Sequence, residues 1–350
     1  MVKIAIAGGT SPTLGHAIVS ALLKNHPEHT PIILSSRPPP PASPNPTAHD
    51  PSSPTTTTTT TTTNVPTSRS PANGAEIRHI DYASPASLAA ALSDIHTVIS
   101  VLKLSPSSAM RDVQLALLSA AVASPACRRF APSEWGFGCP GARVDALGAG
   151  RDEVWAACVR SGLEVARFRC GGFMNYLALG RGFADEEARE RAVAGFDAGE
   201  AEPFLWDLGR GVAELPVRAD GGWPRVTLTE VDDVGRFVAA ACALTEGSWV
   251  REMDMVGETV GVGEVVGLVG ECLGVGLRVV PVRREEWERR AAEVEGVGRT
   301  REEVVRKMHA QFALVILEER EGWGILKPTL NELCVNTKPL SVREYLTNYQ

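Results

Sequence analysis

The stretch from Val2 to Gly15 constrains the chain most. An apolar run, Val2-Lys3-Ile4-Ala5-Ile6-Ala7, breaks into Gly8-Gly9-Thr10-Ser11-Pro12-Thr13-Leu14-Gly15. A helical pattern follows at once, with Leu14, Ile18 and Leu22 on one face. Strand, glycine turn and helix in this order open a dinucleotide-binding βαβ unit. Gly8 lets the backbone turn sharply out of the strand. The bare loop lets backbone N–H groups approach a pyrophosphate, and the helix faces it with its positive dipole end. Gly15 lets the helix pack closely on the strand. The spacing departs from the usual fingerprint, since Ser11 stands where a central glycine is expected and the loop is one residue longer before Gly15. The βαβ context favours cofactor binding over an ordinary tight turn.

The second strand, Pro31 to Ser36, ends in Arg37. In a dinucleotide fold this strand end lies beside the adenosine ribose, where an acid suits NAD and a basic residue suits the 2′-phosphate of NADP. No acid is present, and the planar fork of Arg37 can hold a phosphate through paired hydrogen bonds. The sequence then turns to low complexity from Pro38 to Gly74, including an unbroken Thr55–Thr63 tract. So few apolar side chains cannot offset the ordering entropy, which predicts a disordered insertion over 38–74.

Order is expected again at Glu76–Asp81, a third strand, followed by a helix opened by Ser84-Pro85. Thr97–Leu102 is a fourth strand of the continuous apolar kind that a parallel sheet buries on both faces. A helix from about Ser108 to Ala123 precedes a fifth strand, Arg129-Phe130-Ala131-Pro132-Ser133-Glu134-Trp135-Gly136 with its exit loop. A helix at Arg151–Arg160 leads to a sixth strand, Leu163 to Arg169. Alternation of this kind predicts an α/β fold with a doubly wound parallel sheet, whose ligands sit beyond the carboxyl ends of the strands. Gly8–Gly15, Arg37, Leu102, Lys103 and Pro132–Trp135 then share one rim. Farther on, Asp232-Asp233 starts a helix and Glu252–Val256 reads as a strand. Helical stretches follow near Glu285–Val294, Arg301–Glu318 and Ser341–Tyr349.

A net charge of −7 argues against direct nucleic-acid binding. The cysteines are scattered, with no CxxC pair, and no histidines fall at ligand spacing, so no metal is assigned. Dispersed thiols and a strand starting at residue 2 read as a cytoplasmic protein without a leader, with a nuclear location left open. The apolar Val256–Val282 stretch is interrupted by Glu258, Glu264 and Glu271 and is not a membrane span.

The GGTSPTLG turn, Arg37, the RRFAPSEWG stretch (Arg129–Gly136) and the VDDVGRFVAAA stretch (Val231–Ala241) resemble the NmrA-like and isoflavone-reductase-like family of atypical short-chain dehydrogenases. The FRCGGFMNYL segment, Phe168–Leu177, is similar to the family's loop after the sixth strand. The resemblance implies an NADP(H)-binding Rossmann domain over 1–175 and a smaller C-terminal α+β substrate region over 176–350. Within the latter, 226–256 is expected to return to the Rossmann sheet. Implied cofactor contacts are Gly8, Gly9, Thr10, Ser11, Thr13, Leu14, Gly15, Arg37, Leu102, Lys103, Pro132, Ser133 and Glu134. Ser133 and Glu134 are expected chiefly to shape the loop under the nicotinamide, and Trp135, Phe173 and Asn175 to meet the substrate.

Reductases of the family place a proton-donating lysine on the helix after the PSE-type motif, and by spacing this position is Arg151. Arginine stays protonated and is a poor acid, though it can orient a carbonyl or steady negative charge. Lys103 is the other candidate catalytic group. None of Tyr82, Tyr176, Tyr345 and Tyr349 has a lysine four residues on, which excludes the usual Tyr-x-x-x-Lys mechanism. The implied function is NADPH-dependent reduction of a small aromatic or conjugated molecule. The alternative is a catalytically weak NADP(H)-sensing regulator of the NmrA type, acting through a protein partner.

Overall fold

The computed structural model describes residues 1–37, 65–70, 73–103, 107–140, 143–144, 150–196, 202–293 and 300–349. The first half runs β1 (Lys3–Ala7), α1 (Leu14–Asn25), β2 (Thr30–Ser35), β3 (Thr67–Arg69), β4 (Glu76–His79), α2 (Pro85–Leu92), β5 (Thr97–Ser100), α3 (Ser107–Ala123), β6 (Arg129–Ala131), α4 (Arg151–Arg160) and β7 (Glu164–Val165). Their seven-stranded sheet has the order β3-β4-β2-β1-β5-β6-β7. Every pair is parallel except β3 with β4, so the parallel part follows the 3-2-1-4-5-6 winding with its switch point between β1 and β5.

Alternation within the apolar strands explains the two layers of helices. Ile4, Ile6, Ile33 and Ile99 point to one face, where Ile18 and Leu22 of α1 cover them. Ala5, Ala7, Ile32, Leu34 and Val98 point to the other, under Leu88 and Leu92 of α2 and Leu117 and Ala121 of α3. Burial on both faces is why these strands read as unbroken apolar runs. Ser84 caps α2 by accepting from the Ser87 N–H, as the Ser-Pro start predicts.

The second half adds β8 (Arg167–Arg169), β9 (Gly172–Phe173), a 3₁₀ turn (Met174–Ala178), α5 (Glu186–Val193), β10 (Trp206–Asp207), β11 (Val212–Pro216), β12 (Arg225–Thr229) and α6 (Val231–Ala243). It closes with β13 (Glu252–Asp254), β14 (Glu258–Gly261), α7 (Val262–Leu273), β15 (Arg278–Val282), α8 (Arg284–Ala292), α9 (Arg301–Leu317), α10 (Thr329–Leu333) and α11 (Val342–Asn348). A separate core forms here around Trp206, Leu215, Leu228, Val260, Trp287, Ile316 and Tyr345.

Three expectations need correction. The insertion does not run to residue 74, because Thr67–Arg69 form β3, an antiparallel edge strand on β4; residues 38–64 lie outside the described residues. The sixth strand is divided: β7 ends the large sheet, while β8 pairs with β13 in a sheet of two strands. The 226–256 segment therefore does not rejoin the seven-stranded sheet, and β12 pairs with β9 and β14. It returns to the nucleotide half through α6 instead. A Cβ on Gly235 would meet the Ala17 carbonyl oxygen at 2.5 Å, so glycine is what lets α6 lie against α1. No helix among the described residues is long and apolar enough to cross a membrane.

Candidate functional site

The glycine turn leaves β1 at the switch point. Gly8 has φ +85°, a conformation that side chains disfavour, and its N–H donates to the Leu34 carbonyl at 3.2 Å. A Cβ on Gly15 would stand 2.7 Å from the Gly8 carbonyl oxygen and 2.9 Å from the Gly9 carbonyl carbon. Gly15 therefore lets the first turn of α1 fold down onto the loop. Thr13 takes the N-cap position without a side-chain cap, its hydroxyl lying 2.9 Å from that of Ser11. The His16 N–H donates to the Ser11 carbonyl at 2.9 Å, which leaves the Leu14 and Gly15 N–H groups, among the described residues, to face an anion, with Thr10 exposed beside them. Leu14 is half-buried and packs inward against the sheet core.

Arg37 stands exposed just past β2. Among the described residues its guanidinium has no hydrogen-bond or ion-pair partner. Its backbone is held: the N–H donates to Ser35 Oγ at 3.2 Å, and its carbonyl accepts from His79 Nδ1 at 2.6 Å. Lys103 is exposed immediately after β5.

Hydrogen bonds lock the exit of β6 to the exit of β5. Ser133 Oγ donates to the Leu102 carbonyl at 2.9 Å, and Gln114 of α3, almost wholly buried, accepts the Ser133 N–H at 2.6 Å. Trp135 Nε1 donates to the Ser100 carbonyl at 2.9 Å, and its ring stacks on Phe168 at 5.8 Å. Pro132 is buried within this bracket. Ser133 and Leu102 are thus joined directly, while Trp135 packs on the sheet core.

Arg151 sits elsewhere than a free pocket group would. It opens α4 behind Gly150 and turns back to Glu134, placing Nη2 at 2.5 Å and Nε at 3.0 Å from the same carboxylate oxygen. Burial opposes the Arg151 charge, but the Glu134 carboxylate outweighs it and the pKa lies above the ordinary arginine value. Asn175 is fully buried and internally engaged. Its amide donates to Ala192 O and Glu230 Oε1, and its oxygen accepts the Val231 N–H. It joins the 3₁₀ turn to α5 and α6 rather than facing a ligand.

Phe173 is half-buried and belongs to an aromatic group. With Phe137, Tyr176, Phe204 and Trp206 it lines a narrow, enclosed apolar cavity behind the β6 and β8 exit loops. Burial raises the Tyr176 phenol to about 12, so it keeps its proton at neutral pH. Tyr176 follows Phe173 by three residues, a spacing that placed it on the same turn. Phe204 and Trp206 carried no local signal. A broad open groove lined by Glu258, Glu264, Glu271, Ser341 and Arg343 shares no residue with this rim. Among the described residues no group of three or more His, Cys, Asp or Glu side chains is arranged to hold a metal.

A parallel sheet of this winding, with a glycine turn at its switch point, is the Rossmann dinucleotide-binding fold. Known proteins agree with that class. The chain is 28% identical over 283 residues to Oxidoreductase BOA1 of Botryotinia fuckeliana, covering 78% of this chain and 77% of that protein. Among solved structures, leucoanthocyanidin reductase of Vitis vinifera in complex with NADPH superposes with a TM-score of 0.65 at 15% identity, over 99% of each chain. An NADPH-dependent quinone oxidoreductase of Escherichia coli, complexed with NADPH, matches with a TM-score of 0.61 at 17% identity over 99% of each chain. No protein-family model matches the chain. The Rossmann fold that the resemblance implied is borne out, and the likeness to an oxidoreductase agrees with it.

Proposed function

We propose that the chain reduces a small aromatic or conjugated molecule at the expense of NADPH. One juxtaposition carries this: a glycine turn shaped for a pyrophosphate stands at the switch point beside Arg37, whose guanidinium has no partner among the described residues, at a strand end bearing no acid. The likeness to a curated oxidoreductase and to NADPH-dependent reductases favours turnover over the cofactor-sensing alternative.

Bound NADPH supplies a hydride to an electrophilic carbon. The protein's part follows from its own geometry. The Leu14 and Gly15 N–H groups at the start of α1 would meet the pyrophosphate, and Arg37 would meet the 2′-phosphate. The Ser133–Leu102 and Gln114–Ser133 hydrogen bonds hold the two strand exits that flank the nicotinamide position. Phe173 and Tyr176 pack on Phe196 and line an apolar cavity of about 10 Å³, which would have to widen to take a flat substrate. Arg151, paired with Glu134 and permanently charged, keeps its proton and braces the β6 exit loop. Lys103 or a water at the rim then delivers the proton.

The test is NADPH consumption with a panel of aromatic enones and quinones, alongside calorimetric binding of NADPH and NADH. Arg37→Ala should weaken NADPH binding by roughly ten- to a hundredfold, the worth of a charge-assisted pair of about 1.5–3 kcal/mol, and leave NADH unaffected. Equal affinity of the wild type for both cofactors, or no oxidation with any of the panel, would overturn the proposal.

A further inference from the structure

We infer that His79 is a positioning residue for NADPH selectivity, acting through the backbone of Arg37. The inference rests on the 2′-phosphate role proposed for Arg37. His79 ends β4, in register with Ser35 of β2. Its Nδ1 lies 2.6 Å from the Arg37 carbonyl oxygen, and its Nε2 lies 2.7 Å from Ser68 Oγ. A carbonyl has no proton to give, so Nδ1 carries the ring proton and donates. In the neutral ring Nε2 then accepts from the Ser68 hydroxyl, which fixes the tautomer. The imidazole thereby ties the exit of β2 to β3.

The consequence concerns Arg37. It is the last described residue before a long polar connection, and among the described residues its guanidinium has no hydrogen-bond or ion-pair partner. Its backbone is gripped on both sides instead, the N–H by Ser35 and the carbonyl by His79. A guanidinium launched from a fixed Cα loses less freedom on meeting a phosphate than one on a loose chain. Ser68 belongs to the edge strand that follows the insertion, and His79 also donates its backbone N–H to the Pro66 carbonyl at 2.9 Å. Both ends of the insertion are therefore fastened at the same corner of the cofactor site, with the histidine as the clasp.

The experiment is calorimetric titration of the full chain with NADPH and with NADH, for the wild type, Arg37→Ala, His79→Phe, His79→Asn and the Arg37→Ala/His79→Phe double variant. His79→Phe should weaken NADPH roughly two- to tenfold, the value of one hydrogen bond, and leave NADH unchanged. Asn places an N–H near the Nδ1 position, so His79→Asn should restore most of the loss. In the Arg37→Ala background, His79→Phe should have no further effect. Equal loss for both cofactors, or a loss that persists without Arg37, would overturn the inference. The two proposals fail differently. If Arg37→Ala leaves the preference for NADPH intact, the role of Arg37 falls; if it abolishes the preference and His79→Phe does not touch it, only the role of His79 falls. Should His79→Phe not fold, Ser68→Ala removes only the outer hydrogen bond. It should shift NADPH affinity alone and by less, and an unchanged preference there would count against the clasp.

Discussion

Arg151→Ala separates a brace from a catalytic group. The Arg151 and Glu134 side chains keep only 11% and 6% of their exposure, so removing the guanidinium strands a carboxylate that water barely reaches. Breaking one partner of such a buried pair costs about 3–5 kcal/mol. That is from about a fifth to the whole of the roughly 5–15 kcal/mol that holds a typical domain together. The urea midpoint should fall accordingly. Glu134→Gln combined with Arg151→Met removes both charges and should recover much of the loss, because apolar replacement of a whole buried pair is often neutral. The coupling energy from the double-mutant cycle should exceed about 1 kcal/mol. Arg151→Lys should keep most of the stability and gain little turnover, since the new ammonium would be claimed by Glu134. If Arg151→Ala instead unfolds at the wild-type midpoint and loses kcat, the guanidinium acts on the substrate and the brace is refuted.

Glu230 lies wholly buried at the N-cap of α6, where burial, and then Asp232 and Asp233, raise its pKa from 4.5 to about 7. The folded state therefore holds a proton that the unfolded state has released, and stability should decline as pH rises from about 4.5 through about 7; Glu230→Gln should flatten that decline in urea titrations across the window, and an unchanged slope would assign it to other groups. Replacing residues 38–64 with a short Gly/Ser linker while keeping Thr67–Arg69 should leave the melting transition and cofactor affinity unchanged, whereas a linker that also removes β3 should weaken NADPH, because Ser68 and the edge of the sheet go with it.

The nucleotide half was legible because its signals are local and redundant. Alternating Ile4, Ile6 and Ala5, Ala7 serve two faces of one strand, and a run that must satisfy both can only be apolar throughout. Gly8 and Gly15 were readable for a related reason: a positive φ and a 2.7 Å backbone approach leave no alternative residue. β3 escaped notice because its three residues, Thr67-Ser68-Arg69, are polar, lie on a sheet edge and need no apolar face. The split between β7 and β8 was equally silent. Leu163–Arg169 reads as one strand, and the change of partner at Ala166 depends on β13, which lies far off in sequence.

The candidate site divides along the same line. Gly8, Gly15 and Arg37 are set by the course of the backbone, and the sequence carries that course. Arg151 and Asn175 are set by what their side chains meet, and spacing says nothing of that. Counting back from Gly162 leads to Arg151, which opens α4, yet what its side chain meets is Glu134, seventeen residues earlier, at the β6 exit. Asn175 is in the expected loop, but Glu230 and Ala192 claim its amide. A polar residue in a substrate loop is available to a ligand only when no nearer buried group needs it, because leaving such a group unpaired costs about 1–3 kcal/mol. That inequality puts Asn175 in the protein's own hydrogen-bond network. It also makes Arg37, alone among these three in lacking a partner among the described residues, the side chain whose substitution should speak most directly about the cofactor.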